Sequence, residues 1–235
     1  MNLSKKVSIA FGGLIVIAVI VGIVFLVPNL GEENGSDALR FQQEYEELNS
    51  TIRDDGVYMK SVQVPSDNMI KYVTIEEALE FSETGTGVVF LGAGWCRLCR
   101  ITASLIAEAS SSHNIPIHYV SLKRFGGSSG EVGYQELAEL VGEYMRGWGT
   151  AFANVTGSES TIISRIEEIQ DGEYRMFAGI LLFYNKGTLT GMNVGTIEGH
   201  YDVDTLLNSQ QEEKFLEMFD RHMEVLGTDP CPPGC

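Results

Sequence analysis

Two cysteines three residues apart, Cys96 and Cys99, are the residues of this chain best placed to do chemistry. They lie in the run Trp95-Cys96-Arg97-Leu98-Cys99, after an apolar strand-like segment and at the predicted start of a helix. Cysteines at this spacing can close into a disulfide and reopen, and a helix N-terminus favours the thiolate of the first one. The pattern predicts thiol–disulfide exchange, with a fixed disulfide or half of a zinc site as the alternatives.

The two cysteines have different expected roles. We expect Cys96 to be the nucleophile and Cys99 to be the resolving thiol, which attacks the mixed disulfide and releases product. Arg97 and Arg100 add positive charge near Cys96, and positive charge lowers a thiol pKa from about 8.5. Trp95 is expected to shape the docking surface beside the disulfide, with ordinary aromatic packing as the alternative. No cofactor is expected beyond the redox-active Cys96–Cys99 disulfide itself.

A second cysteine pair ends the chain, in the run Cys231-Pro-Pro-Gly-Cys235. A turn centred on Pro233 and Gly234 is favourable, and such a turn can bring the two Cα atoms within the ~4.4–6.8 Å that a disulfide requires. Three interpretations stay open: a second redox pair that exchanges with the first, a local structural disulfide, or two of four thiolate ligands of a zinc ion. The four histidines show no metal-ligand spacing, so no other metal site is predicted.

Composition and the N-terminal residues bear on the location. The chain has 235 residues, 44% of them apolar, and a net charge of −16, which argues against binding nucleic acid. Residues 7–27 form an uncharged apolar run, long enough for the ~20 residues of a membrane-spanning helix. Lys5 and Lys6 precede this run, so the positive-inside rule places the N-terminus in the cytoplasm and the remaining chain outside. All four cysteines then lie where disulfides persist.

A cleaved signal peptide is the alternative to this single-pass anchor. Its apolar region usually has ~7–15 residues, shorter than the run at 7–27, and no small-x-small cleavage site follows Val27. We therefore expect an uncleaved anchor in the cell membrane.

Apolar periodicity predicts the order of the elements. The predicted strands are 87–91, 115–122, 177–184 and 188–194, with weaker ones at 57–64 and 70–73. The predicted helices are 37–48, 74–83, 97–110, 134–144, 161–170 and 203–226. A right-handed crossover makes the first two main strands parallel, and a hairpin turn at Asn185-Lys186-Gly187 adds an antiparallel pair. The predicted class is a three-layer α/β/α fold with a mixed central sheet.

This order, with Trp-Cys-x-x-Cys at the end of the first main strand, resembles the thioredoxin fold over about residues 70–226. The apolar run and the composition of the chain predict an anchor at 1–27, a linker and helix at 28–56 and a tail at 227–235. The resemblance implies a thioredoxin-like domain at 57–226 with an insertion at 123–175. The anchor, the segment FQQEYEELN and the terminal cysteine pair are similar to exported thioredoxin-like proteins of Gram-positive bacteria, including bacteriocin transport accessory proteins.

The chain departs from the thioredoxin pattern at several positions. Ala178 stands where the family has a cis-proline beside the cysteines, and because a cis bond before a non-proline residue costs ~2.5–4 kcal/mol, we expect a trans bond there. Phe90 replaces a buried acid that helps proton transfer, and Ser104 replaces a proline that kinks the active-site helix. Arg97 and Leu98 replace Gly-Pro. These departures argue against efficient reductase activity of the thioredoxin kind.

The sequence thus predicts a membrane-anchored, extracytoplasmic thiol–disulfide oxidoreductase that acts on protein cysteines. Its expected partners are exported proteins with cysteines and a membrane redox partner. The alternative is a non-catalytic accessory or chaperone-like module of an export or envelope complex. The insertion at 123–175 is interpreted either as a lid over the cysteines or as a thickening of one edge.

Overall fold

A five-stranded mixed sheet forms the centre of the computed structural model, which describes residues 34–123, 127–147, 178–197, 200 and 202–227. The strands are β1 Ile70–Tyr72, β2 Gly87–Gly92, β3 Ile117–Ser121, β4 Ile180–Asn185 and β5 Thr188–Val194, in the order β1-β3-β2-β4-β5. The helices are α1 Asn34–Glu46, α2 Ile75–Thr84, α3 Arg97–Ser112, α4 Tyr134–Gly147 and α5 Ser209–Leu226. The predicted mixed α/β class is confirmed.

The strand pairing follows the predicted topology. β3 pairs in parallel with both β1 and β2, β4 pairs antiparallel with β2, and β5 returns antiparallel beside β4. All six residues of β2 are buried, as are the first five of β4. Burial on both faces explains why these two strands are continuous apolar runs rather than alternating ones.

Helices cover both faces of the sheet. Within β2, Val88 and Phe90 belong to the core that α1, α3 and α5 build on one face. Val89 and Leu91 belong to the core on the other face, under α2 and α4. Successive strand residues point to opposite faces, so one strand contributes to both cores. The prediction of three layers is confirmed for the described residues.

Helices α3 and α5 lie side by side and run in the same direction. At the start of α3, Arg97 Nη1 lies 3.1 Å from Asp204 Oδ1, in the segment that leads into α5. At the end of α3, His113 Nε2 lies 2.8 Å from Asp220 Oδ1 in the second half of α5. α5 therefore begins near the start of α3 and continues past its end.

Two local predictions are wrong. The last helix begins at Ser209 rather than at 203, because Asn208 caps it and forms a capping box with Gln211. The segment 57–64 is not a strand, because it forms one isolated β-bridge, between Ile52 and Tyr58. Its backbone is instead hydrogen-bonded to the side chains of Asn49 and Arg100.

Several other predictions concern residues outside the described ones. These are the anchor at 7–27, the helix at 161–170, most of the insertion, and the tail pair Cys231 and Cys235. In the part of the chain that the structure describes, no helix is both long and apolar enough to cross a membrane.

Candidate functional site

The chain leaves β2 at Gly92 and turns into α3 through residues 93–96, here called the CxxC loop. Cys96 N donates to Ala93 O at 3.0 Å, which closes the turn. Cys96 has extended φ and ψ and is the N-cap of α3, so its side chain stands where a capping oxygen normally accepts a hydrogen bond. The amide N of Cys99 donates to Cys96 Sγ at 3.2 Å. The first cysteine thus occupies the helix N-terminus that the sequence predicts.

The environments of the two thiols push their pKa values in opposite directions. The pKa of Cys96 is lowered, first by a hydrogen bond from the Cys99 thiol, then by the backbone amides of Cys99 and Leu98 and by the charge of Arg53, against an opposing effect of burial. The pKa of Cys99 is raised by its complete burial, and further by the hydrogen bond and the negative charge of Cys96. Neither thiol is in a disulfide.

This difference separates their chemistry. A thiol with a lowered pKa is a thiolate nucleophile over a wider pH range, whereas a buried thiol with a raised pKa stays protonated. Pairs of titratable groups with diverging pKa values identify the acid and the base of a site. Cys96, at 8% exposure, is the more accessible of the two, because Cys99 has none. The surroundings of the two predicted site residues therefore shift their pKa values in opposite directions.

The arginine whose charge acts on Cys96 is Arg53, which the sequence did not single out. Its Nη1 donates to Trp95 O at 3.0 Å, which holds the guanidinium against the CxxC loop, and the same side chain pairs with Asp55. The predicted arginine, Arg97, pairs with Asp204 instead. No motif in the sequence marks Arg53, because it belongs to a loop 42 positions before Trp95.

Arg100, the other arginine expected to act by its charge, is a buried anchor. Its guanidinium donates to the carbonyl oxygens of Lys60 at 2.7 Å and Gly94 at 3.2 Å, to that of Tyr45, and to Asn49 Oδ1 at 2.7 Å. With Nε donating to Lys60 O as well, all five N–H groups are used. Arg100 thus holds the end of α1 and the following loop against the CxxC loop.

Glu44 of α1 makes a second connection to the CxxC loop. Its carboxylate accepts hydrogen bonds from Tyr72 OH and Tyr119 OH, both at 2.7 Å, from Ser121 Oγ at 3.0 Å and from Gly94 N at 2.9 Å. Glycine is needed at 94, since a Cβ there would lie 2.4 Å from the Glu44 carbonyl oxygen. A partly buried carboxylate therefore reaches the loop from the N-terminal helix, although Phe90 occupies the position where the resemblance implies an acid.

Trp95 is half-buried and has a fixed orientation. Its Nε1 donates to Leu122 O at 2.9 Å, just after β3, and its ring packs against the core that contains Cys96 and Cys99. Both expectations for Trp95, shaping the surface and packing, are compatible with this placement.

A glycine backbone covers the two sulfur atoms. A Cβ on Gly179 would lie 3.5 Å from Cys99 Sγ and 3.9 Å from Cys96 Sγ, and Gly179 has a φ of +96°. Its N–H donates to Leu91 O and its carbonyl accepts from Gly195 N, each at 2.7 Å. The sequence analysis singled out the preceding residue, Ala178, and missed the glycine that leaves room beside the two sulfur atoms.

Ala178 packs between the cores on the two faces of the sheet. The bond that precedes it involves residue 177, outside the described residues, so the trans bond stays a prediction. The described residues contain no cis peptide bond.

No protein-family model matches this chain, and no curated protein matches it. What the site does must therefore be argued from its own residues.

Proposed function

We propose that this protein is a thiol–disulfide oxidoreductase with a thioredoxin-like fold, in which Cys96 attacks and Cys99 resolves. The observation that carries the proposal is the opposite direction of the two pKa shifts, with Cys96 at the N-cap of α3. A fixed structural disulfide needs no helix N-terminus and no lowered pKa.

The reaction proceeds by two exchanges at sulfur. The Cys96 thiolate attacks a disulfide of a protein substrate, that S–S bond breaks, and one substrate sulfur leaves as a thiolate and takes a proton from water. Cys99 then loses its proton and attacks Cys96 Sγ, which expels the second substrate sulfur and leaves the Cys96–Cys99 disulfide. The reverse sequence oxidises a dithiol substrate, and the relative reduction potentials set the direction.

The sheet supports the thioredoxin-like assignment. Its order β1-β3-β2-β4-β5, with β4 antiparallel to its neighbours β2 and β5 and with helices on both faces, is compatible with that fold. The cysteines follow β2 and head α3, as the resemblance implies. The apolar run at 7–27 supports an anchor in the cell membrane with the cysteines outside, where exported proteins with cysteines are the substrates and a membrane redox partner recharges the site.

One observation favours the alternative, a non-catalytic accessory module of an export or envelope complex. Cys96 is only 8% exposed, and a buried sulfur limits the approach of a protein disulfide. Under this alternative the CxxC loop is a structural element, and Cys96 does not form mixed disulfides with other proteins.

Trapping separates the two candidates. We would use the full-length chain with Cys99→Ala, because loss of the resolving thiol leaves a mixed disulfide on Cys96, and would identify the captured proteins by mass spectrometry. The matched control is Cys96→Ala, which keeps Cys99. Capture by the first variant alone supports the oxidoreductase. If Cys99→Ala traps nothing, and a glutathione buffer can neither reduce nor reoxidise the CxxC pair of the unmodified protein, the accessory role is the better description.

A further inference from the structure

The segment 60–64, which leads from the loop after α1 toward β1, has an extended backbone. The side chains of Val62 and Val64 are buried in the core that also contains Cys96 and Cys99. The side chains of Ser61 and Gln63 are exposed. Successive side chains of an extended chain point to opposite sides, so this alternation indicates a strand-like backbone outside the described sheet.

Side chains from α1 and the loop after it occupy one edge of this segment. The side-chain amide of Asn49 pairs with both backbone groups of Val62, donating to the oxygen at 2.8 Å and accepting from the nitrogen at 2.9 Å. Glu46 Oε1 accepts from Val64 N at 2.8 Å. Alternate residues of an extended chain direct their N–H and C=O groups to the same edge. Residues 62 and 64 therefore share the edge that faces α1.

The backbone groups of Ser61 and Gln63 point to the other edge. In the part of the chain that the structure describes, neither the N–H nor the C=O of these two residues takes part in a hydrogen bond. Two donors and two acceptors therefore alternate along this side, which we call the open edge. An unpaired edge of this kind is a template for pairing with another extended chain.

The open edge borders a groove beside α3. A cavity of about 400 Å³ lies between the segment, α3 and the start of α5, and its lining includes Ser61, Gln63, Ile101, Ser104, Leu206 and Glu212. Leu206 is 42% exposed, so its apolar side chain is available for contact. The groove thus combines main-chain groups along one wall with apolar side chains on the others.

The groove continues the line of the nucleophile along α3. Cys96, Arg100 and Ser104 follow one another at intervals of four residues, which places them on one stripe of the helix. At 1.5 Å per residue, Arg100 and Ser104 lie ~6 and ~12 Å from Cys96 along the axis, and both line the cavity. An extended peptide covers that distance in about two to four residues at ~3.3 Å each.

The charge of the groove favours a basic ligand residue. Glu212 lines the cavity, and among the described residues its carboxylate has no ion-pair partner. The guanidinium of Arg100 also lines the cavity, but its N–H groups are already bonded within the protein. The chain as a whole has a net charge of −16, which attracts a cationic segment and repels an acidic one.

We propose that this groove binds an extended segment of the protein substrate, which pairs as a strand with Ser61 and Gln63 and places a basic residue near Glu212. The inference rests on the proposed function and names its substrate class: unfolded polypeptide, bound two to four residues from the reacting cysteine. Main-chain hydrogen bonds supply affinity in such strand addition, and side-chain pockets supply specificity. Gly179, although it lies beside the sulfur atoms, already uses its N–H and C=O within the protein.

The test compares the attack of Cys96 on a peptide disulfide and on a small disulfide. The full-length chain with Cys99→Ala, Cys231→Ser and Cys235→Ser keeps Cys96 as its one thiol. The peptide has lysines about three residues before and after a cysteine that is bonded to 2-nitro-5-thiobenzoate. The Cys96 thiolate attacks the peptide sulfur, the S–S bond breaks, and the coloured 2-nitro-5-thiobenzoate leaves with the electron pair. The small disulfide is 5,5′-dithiobis(2-nitrobenzoate), which has no peptide backbone.

Gln63→Pro removes one N–H group from the open edge and places a ring there, whereas the matched control Gln63→Ala keeps the N–H. We expect Gln63→Pro to slow the reaction with the peptide by about fivefold or more, because one backbone hydrogen bond contributes about 2- to 12-fold. The reaction with the small disulfide should stay within about twofold. Gln63→Ala should match the parent chain with both disulfides.

Changes in the peptide make the same test without any change in the protein. Methylation of alternate backbone nitrogens of the peptide should slow its reaction with the parent chain by a similar factor. A peptide with glutamates in place of the lysines should react about two- to fivefold more slowly, since an exposed ion pair contributes little. Glu212→Gln should remove this preference for lysine.

The outcomes separate this inference from the proposed function. Equal peptide rates for Gln63→Pro and the parent, or no effect of methylation of the peptide, overturn the groove and leave the oxidoreductase intact. Absence of reaction with either disulfide overturns the oxidoreductase itself. A parent chain that sediments as a dimer, and a Gln63→Pro chain that sediments as a monomer, would show that a second copy occupies the open edge, which also overturns the inference. Should Gln63→Pro not fold, as judged by circular dichroism, Ser61→Pro against Ser61→Ala makes the same comparison.

Discussion

Replacing Arg100 with methionine removes five hydrogen bonds at once from the inner side of the CxxC loop. Two of the acceptors, the carbonyls of Tyr45 and Gly94, lie in the buried interior. Leaving a buried carbonyl without a donor costs about 1–3 kcal/mol of stability. Lys60 and Asn49 lie nearer the surface, where water replaces the guanidinium at lower cost.

We therefore expect Arg100→Met to lower the free energy of unfolding by about 3 kcal/mol. This is a little below the summed cost of two buried carbonyls without donors, because the methionine side chain fills part of the space. For a folded unit of this size, that corresponds to a fall in Tm of roughly 6–12 °C. Urea and thermal denaturation of the full-length protein, followed by circular dichroism, measure both quantities.

The matched control is Arg97→Met, in the same first turn of α3. Arg97 forms a partly exposed ion pair with Asp204, and such pairs contribute about 0–1 kcal/mol. The anchoring role of Arg100 is refuted when the two variants unfold within about 1 kcal/mol of each other. A large loss of unfolding free energy in Arg100→Met, but not in Arg97→Met, shows that the hydrogen bonds of the Arg100 guanidinium hold the loop, and that a positive charge at the start of α3 is not enough.

Two further substitutions test the site. The charge of Arg53 lowers the pKa of Cys96, so Arg53→Met should raise that pKa. The pH midpoint of alkylation by iodoacetamide should then move up, and the alkylation rate at pH 7 should fall. A midpoint that does not move, or an equal shift in Arg97→Met, would contradict this role of Arg53. Gly179→Ala places a side chain at a φ of +96° and should cost about 1–2 kcal/mol in urea denaturation, whereas Gly130→Ala, with no atom within 4 Å of the new Cβ, should cost almost nothing.

Features coded by neighbouring residues could be predicted from the sequence. The continuous apolar runs gave the buried strands β2 and β4, and the hairpin between β4 and β5 turns at Lys186 and Gly187 as expected. The capping box of Thr74 and Glu77 opens α2 where the pattern places it. The helix after β2 begins at Arg97, directly after the predicted nucleophile.

The supporting residues of the site could not be predicted in this way, because distant segments bring them together. Glu44 receives hydrogen bonds from Tyr72 and Tyr119, which are 28 and 75 positions away in the sequence. Its segment, FQQEYEELN, was singled out only through a resemblance, and nothing in it indicates contact with Gly94. The role of Arg53 could not be predicted either, because its effect on the thiol depends on the position of a loop that has no regular secondary structure.

The parallel arrangement of α3 and α5 limits how far the second cysteine pair can reach. The 16 residues of α3 span about 24 Å. Gly227 lies seven residues past Asp220, which is level with the end of α3, so α5 ends roughly 34 Å from Cys96. Four residues extend at most about 14 Å, and a disulfide spans at most about 6.8 Å between Cα atoms, so Cys231 does not reach its own Cys96 while α5 stays folded. Eight residues extend at most about 29 Å, so Cys235 reaches its own Cys96 only when the tail is almost fully extended. Exchange that begins at Cys231 then joins two molecules, and its rate rises with protein concentration.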